Sequence, residues 1–589
     1  MSRTPRTGVA PVPEQPSGPD AAPAPAVPPT VTPAAGTLAR SAAQAAGRLL
    51  TRPAVGLGDV VPAPASVRPQ PAADFVLPAD AAVRVSADAD AREVAGHLAE
   101  LLRPATGYPL PVADLPPAPG PLQLTLSAAA PHGPAATVPD DAEGYRLDVG
   151  TDVVRITAGT AAGLFHGVQT LRQLLPAAVE SRTPVAQHWV VPGGTIVDRP
   201  RFPYRGAMLD VARHFFTVED VCRVIDHLAR YKLNHLHLHL TDDQGWRIAV
   251  DSWPRLATVG GRGQVGGGPG GWYTAADYRR IVGHAARRHV TVVPEVDLPG
   301  HTNAALVAYP ELAPGRVAPP PYTGTEVGFS YVDPTAERTY DFVADVLGEV
   351  AALTPGPWLH IGGDEAYKVK GASYTGFVER AQRIVAGLGR TVVGWHQIAP
   401  AGQVDGRVLQ WWGTDGDDPT VAEAVRRGAR VILSPGNHAY LDMKYAPDTP
   451  IGHDWAGLID VHRAYHWDPA THLTGVPVEA VLGVEAPLWT ESVTSLAEIE
   501  FLFFPRLPAL AEVAWSAPSA RGWTGFRERL AGHGPRWRAA GIAFHPSPEI
   551  PWPAAPAGRH LPDAAAGEHR DPAPEQRAPG RDATTPDTR

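Results

Sequence analysis

The chain has 589 residues, 44% of them hydrophobic, enough for a large core and more than one domain. Its net charge of −10 argues against a nucleic-acid surface. A lone cysteine, Cys222, excludes intramolecular disulfides and cysteine-rich zinc sites, and no run approaches the roughly 18 apolar residues that span a bilayer.

Residues 1–74 hold no aromatic side chain and are dense in Pro and Ala, a composition that buries too little surface to offset ordering entropy. They read as a disordered tail, with helical character only at Thr37 to Arg52. The basic residues at the start are followed by no apolar run, so they do not form a secretory signal. Residues 75–198 read as a small α+β domain: "LQLTLSA", then the strand–turn–strand "YRLDVGTDVVRITAG", then the helix "AAGLFHGVQTLRQLL". From 199 to 552 strands alternate with helices. Strands are expected at Met208–Val211, His235–Leu240, Val290–Val296, Trp358–Ile361, Val392–Trp395, Val408–Trp411, Val431–Leu433 and Val481–Val484. Helices are expected at Val218–Tyr231, Ala275–Arg288, Ala336–Ala352, Phe377–Leu388 and Val421–Arg427. This rhythm predicts an α/β fold, a (β/α)8 TIM barrel with enlarged loops. Cys222 falls on the apolar side of the first of these helices and reads as core. After about Gly558 the Pro/Ala bias returns, and residues 553–589 read as a second disordered tail.

The second barrel strand, "NHLHLHL", puts His235, His237 and His239 on one face. The outer two are roughly 13 Å apart at about 3.3 Å per residue, too far to share one ion. A pair such as His237 and His239 could still do so, as in a metal-dependent barrel hydrolase. Chemistry in this fold sits at the C-terminal ends of the strands. There the chain places Asp210 and Arg213, Asp242 and Asp243, Glu295, Asp297 and His301, and then Asp364 and Glu365. Trp395, Trp412, the loop residues Tyr440, Asp442 and Trp455, and finally Trp489 and Glu491 follow. Tryptophans at four of these places point to a sugar, because an aromatic face stacks on the C–H face of a pyranose while carboxylates and an arginine fix its hydroxyls. Trp253, Trp358 and Trp515 read as packing. With tryptophans and an arginine at the exits, the three strand histidines read as barrel packing or as support for site residues.

Taken alone, Asp364–Glu365 is an ordinary acidic turn; Gly362-Gly363 before it permits close backbone approach at a strand exit. With "GLFHGVQTLRQLL", "MLDVARHFF", "LHLHLTDDQGWRI", "VVPEVDLPGHT", "LHIGGDE", "VVGWHQ", "QWWG", "YLDMKY", "WAG" and "VEAPLWTE" in order, the chain from about 75 to 552 resembles a β-N-acetylhexosaminidase of glycoside hydrolase family 20. The resemblance implies retaining, substrate-assisted hydrolysis through an oxazolinium intermediate. Glu365 is then the general acid and base, and Asp364 orients the substrate's acetamido group, with Tyr440 on its oxygen. Trp395, Trp412 and Trp489 wall the acetamido pocket. Arg213, Asp442 and Glu491 read the ring hydroxyls, and Trp455 stands at the rim. Asp242 and His301, with Asp297 beside them, form a relay behind Glu365. The resemblance implies no metal or cofactor, and N-acetylhexosamine-containing oligosaccharides or glycoconjugates as partners, with no nucleic acid and no membrane span. As written the sequence reads as cytoplasmic, although relatives are often secreted. Three alternatives stay open: release of disaccharides, a sugar-binding protein without catalysis, and the metal-dependent hydrolase.

Overall fold

The structure, a computed structural model, describes residues 54–114, 121–126 and 141–553. The helix expected at 37–52 and the tail beyond residue 553 lie outside the described residues. The first domain is built on a mixed sheet in the order β1-β9-β6-β7-β5-β3-β4. Its strands are β1 (Ser66–Pro69), β3 (Val83–Val85), β4 (Val112–Asp114), β5 (Leu122–Leu126), β6 (Tyr145–Val149), β7 (Val154–Ala158) and β9 (Gly194–Asp198). β2 (Phe75–Val76) and β8 (Val190–Val191) form a separate ribbon.

Two helices cover the sheet, Ala89–Thr106 and Ala161–Leu174. The first was not foreseen, although Val94, Leu98 and Leu102 recur at helical spacing and all are buried. Asp88 caps it by accepting from the amide of Ala91.

The expected tail boundary at residue 74 is corrected by β1. Ser66–Pro69 pairs antiparallel with β9, and Leu57, Val60 and Val61 are buried ahead of it. Small aliphatic residues supply the burial there, so a scarcity of aromatics did not mean a lack of core.

The second domain is a closed barrel of eight parallel strands. They are β10 (Tyr204–Asp210), β11 (His235–His239), β12 (Thr291–Glu295), β13 (Trp358–His360), β14 (Thr391–Trp395), β15 (Val408–Trp411), β16 (Arg430–Leu433) and β17 (Val481–Leu488). Each expected strand is present. The five expected helices form at Val218–Arg230, Ala275–Ala286, Glu337–Leu353, Ala372–Gly387 and Pro419–Arg426. Cys222 is only half-buried, because it lies at the edge of the apolar stripe made by Val221, Val224, Ile225 and Leu228.

The barrel interior combines an apolar cluster that includes Val293, Val393, Val408 and Ile432 with a column of polar side chains. At the strand starts, His235, Tyr204 and Trp358 form a three-ring cluster, with His235 4.0 Å from Tyr204 and 4.8 Å from Trp358. Above it, His237 Nδ1 lies 2.8 Å from Glu485, and its Nε2 lies 3.0 Å from Glu295. Nearer the exits, His239 bonds Glu295 (2.5 Å) through Nδ1 and Asp242 (2.9 Å) through Nε2. Parallel register explains the grouping: Glu295 stands level with His239 on one side and with His360 on the other.

The first domain docks at the opposite end of the barrel. Asp198, at the end of β9, bonds Lys232 (2.9 Å), Tyr145 (2.8 Å) and Trp515 (3.0 Å). Arg205 holds Glu143 at 2.6 Å. This leaves the strand exits uncovered by the first domain's polar anchor points. The helix Arg506–Trp515 steadies one exit loop from beneath. Fully buried Arg506 donates to the carbonyls of Leu441 (2.6 Å), Met443 (2.6 Å) and Ile459 (3.0 Å), pinning the chain between β16 and β17.

Candidate active site

A cavity of about 460 Å³ opens at the strand exits. Its walls include Arg213, Asp364, Glu365, Trp395, Trp412, Tyr440, Asp442, Trp455, Trp489 and Glu491, so every residue expected to act on or bind substrate faces one space. Thr325, Val327 and His453 line it too. None of these three was singled out from the sequence; they lie on long loops where no periodic signal exists.

The centre of the site is the turn after β13. Gly362 and Gly363 have φ of 67° and 107°, and a Cβ on Gly362 would sit 1.7 Å from Asp297 Oδ1. Only glycine admits that approach. The amide of Gly363 then donates to Asp297 Oδ1 at 3.0 Å. Glu365 itself has φ of 47°, an uncommon conformation for a residue with a side chain. The turn thereby presents two consecutive carboxylates to the cavity. Asp364 is 7% exposed, and its Oδ1 has no hydrogen-bond partner. Glu365 accepts from the hydroxyl of Tyr367 at 3.1 Å on Oε1, while its Oε2 lies 3.6 Å from His301 Nε2. Burial, and then the adjacent Asp364, push the Glu365 carboxyl above its ordinary range.

The three expected supporting residues are assembled behind this pair. His301 Nδ1 bonds Asp242 Oδ1 at 3.2 Å, and its Nε2 lies 3.6 Å from Asp364 Oδ2. Burial alone lowers an imidazole, yet Asp242, Asp297 and Asp364 together raise His301 well above its ordinary value. Asp242 bonds Arg213 at 2.9 Å. Burial opposes its ionisation, and Arg213 and His301 outweigh that to hold it well below the carboxylate range. Asp297 goes the other way: burial and then Asp364 raise it far above its ordinary range.

At the deep end, Arg213 lies 4.9 Å over the ring of Trp489, with Nε and Nη1 lacking hydrogen-bond partners. Both carboxylate oxygens of Asp442 are likewise unpartnered. Burial raises Asp442 to about 7, helped by Glu491 and opposed by His453. Glu491 is drawn down to about 2: burial opposes the shift, and Arg213 and His453 overcome it.

The aromatic wall is tied together by its rings. Trp395 lies 5.8 Å from Trp489, and Trp455 stands edge-on to both Tyr440 (5.5 Å) and Trp412 (5.9 Å). Trp395 is buried, and its indole N–H donates to Glu295 at 2.8 Å. Trp455 is 53% exposed, as a rim residue should be. Glu295 therefore supports both Trp395 and His239, a role the sequence did not reveal. A carboxylate at a strand exit reads as outward-facing until the register is known.

The histidines His237 and His239 lie below the cavity, each between two carboxylates. Burial pulls both down, but Glu485 and Glu295 raise His237 to about 9, and Glu295 and Asp242 raise His239 further. His237, Glu295 and His360 do bring ligand-type atoms within 4.8 Å of one another. Both nitrogens of His237 face carboxylates, Glu485 and Glu295, and its raised pKa favours an imidazolium, which has no lone pair for a metal. Among the described residues no helix is long and apolar enough to cross a membrane.

Comparison with known proteins agrees with this geometry. Residues 202–518 match the family described as Glycosyl hydrolase family 20, catalytic domain, and residues 58–199 match its domain 2. The chain is 42% identical over 495 residues to a β-N-acetylhexosaminidase of Cellulomonas fimi, covering 84% of this chain and 97% of that one. It is 55% identical, with a TM-score of 0.82, to a mutant β-hexosaminidase of Streptomyces plicatus in complex with product GlcNAc, covering 85% of this chain and 99% of that chain. The same coverage, identity and TM-score hold for the S. plicatus enzyme in complex with Thio-NAglucal.

Proposed function

The chain belongs to glycosyl hydrolase family 20 and is a β-N-acetylhexosaminidase, and from that premise we propose how its residues divide the work. The substrate is a terminal β-linked N-acetylhexosamine, and its own acetamido oxygen is the nucleophile. Asp364 accepts the acetamido N–H and balances the charge of the oxazolinium that forms. The observation that carries this is the pair of neighbouring carboxylates at one cavity wall. One has an unpartnered, buried oxygen and the other is raised in pKa.

Glu365, protonated at the start, donates to the departing glycosidic oxygen and afterwards takes a proton from water. His301, charged and 3.6 Å away, stabilises the carboxylate as it forms. Tyr440 donates to the acetamido oxygen, aligning it with the anomeric carbon. Tethering the nucleophile in this way removes much of the entropic barrier. Trp395, Trp412 and Trp489 enclose the acetamido methyl and the ring.

Arg213, Asp442 and Glu491 bind the hydroxyls furthest from the leaving group. Arg213 is 3% exposed and Asp442 is 1% exposed. A cavity closed by such buried groups has no continuation for a longer chain. This favours release of single terminal sugars over release of disaccharides.

The test is hydrolysis of paired nitrophenyl β-glycosides, one bearing a 2-acetamido group and one a 2-hydroxyl, with and without a thiazoline mimic of the oxazoline. Cleavage of the acetamido sugar alone, blocked by the thiazoline, is expected. Comparable cleavage of both would require a protein nucleophile and a different role for Asp364. Cleavage of neither would favour the sugar-binding alternative.

A further inference from the structure

Tyr367 stands two residues beyond the general acid and was not among the expected site residues. Its side chain combines features that seldom coincide. It is 58% exposed, yet its hydroxyl donates to Glu365 Oε1 at 3.1 Å, and its amide donates to the Glu365 carbonyl at 2.6 Å. The ring is also held. It lies on Gly328, where a Cβ would come within 2.1 Å of Tyr367 Cδ2. Gly328 has φ of 75° and belongs to the loop whose Thr325 and Val327 line the cavity. One side of the ring therefore rests on backbone, while much of the rest of the residue meets solvent. The other exposed aromatic of the rim, Trp455, packs on Tyr440 and Trp412 instead.

Chemistry fixes which side of the sugar this is. A general acid protonates the glycosidic oxygen, so the leaving group lies against Glu365. Any group within hydrogen-bond reach of the Glu365 carboxyl, and open to solvent, adjoins the leaving group. Resting on the reading of Glu365 as the acid, we propose that Tyr367 is a leaving-group-binding residue, its ring a platform for the sugar being displaced and its hydroxyl a donor to the Glu365 carboxylate that proton transfer creates. The enzyme is thereby biased toward saccharide leaving groups, which present an apolar ring face beside the glycosidic oxygen. The proton balance is simple. Glu365 gives its proton to the leaving oxygen, and Tyr367 keeps its own. Burial and Glu365 hold the phenol at about 12, so it remains O–H throughout.

The test uses Tyr367→Ala and Tyr367→Phe in the full chain with two substrates sharing the same N-acetylglucosaminyl group: N,N'-diacetylchitobiose, and the glycosyl fluoride, which carries no leaving ring. Tyr367→Ala is expected to lower the ratio of kcat/KM for disaccharide over fluoride about tenfold, the scale of one lost stacking contact. Tyr367→Phe keeps the ring and is expected to retain most of that ratio. Removing the donor frees Glu365 to rise further, so the basic limb of its kcat/KM profile moves to higher pH. An unchanged ratio in Tyr367→Ala, or an equal loss on both substrates, overturns the platform. An unmoved basic limb in Tyr367→Phe overturns the donor role. Glu365→Gln serves as the control: if it slows the fluoride as much as the disaccharide, the assignment of Glu365 as the acid fails, and the proposal with it.

Discussion

Both ends of the barrel bury charge, and they treat it differently. At the end facing the first domain every polar atom of Asp198 and Lys232 is engaged. Asp198 accepts from Lys232, Tyr145, Trp515 and the amides of Ala65 and Arg199. Arg205 is likewise saturated by Glu143 and the carbonyls of Phe202 and Lys232. At the exits, Asp364 Oδ1, both oxygens of Asp442, and Nε and Nη1 of Arg213 have no hydrogen-bond partner. An unmatched buried polar atom costs about 1–3 kcal/mol. Unpartnered atoms also occur on structural arginines such as Arg230, Arg407 and Arg506, but at the exits those of Asp364, Asp442 and Arg213 face the cavity, where a ligand can remove the cost.

That contrast can be broken first at Glu365. Glu365→Gln should lower kcat about 10²- to 10⁴-fold on substrates with poor leaving groups and much less on activated aryl glycosides, with the urea midpoint hardly moved. Asp364→Asn should slow both substrate classes, since it disturbs the internal nucleophile; an equal response of the two variants to leaving group would undo the division of roles. At the other end, Asp198→Asn strands the Lys232 ammonium in a buried place. It should cost about 3–5 kcal/mol in urea unfolding, while kcat/KM per folded molecule stays as it was. A loss of activity without loss of stability there would erase the distinction between the two ends.

Smaller effects sharpen the picture. Glu295→Gln weakens the acceptor for Trp395 and His239, and should reduce kcat/KM about tenfold. Binding of the thiazoline should weaken in parallel, because the pocket wall moves. Asp442 is read instead through the pH dependence of stability. Its pKa, raised to about 7, means that the folded state keeps a proton the unfolded chain has released. Stability is then lost as pH rises from about 4 to 7 and levels off above, at a slope of order 1 kcal/mol per pH unit. Asp442→Asn should abolish that slope, which urea midpoints across the range will show.

The barrel was legible because most strands are short apolar runs separated by helical periods, and its exits could be read one by one. The site's lining residues followed from the motifs. What escaped was set by pairing and not by local pattern. Glu295 becomes a support for Trp395 only once β12 lies level with β11 and β13. β1 escaped because Val67 and its neighbours find a partner more than a hundred residues later, in β9. Tyr367 escaped because its importance depends on Gly328, which lies in a loop of no periodicity. The half-buried state of Cys222 shows the limit of helical periodicity at the margin of a stripe.

The turn after β13 has a consequence for heredity. Every single-base change in a glycine codon that alters the residue adds at least a Cβ or a stop. At Gly362 a Cβ would run into Asp297, and at Gly363 it would come within 2.4 Å of Ile398 Cγ2. Neither glycine has a side chain with which to meet substrate. In a saturation survey of point variants, both positions should nonetheless be as intolerant as Asp364 and Glu365 themselves. Such a map would outline the active centre partly by residues that contribute only the absence of a side chain.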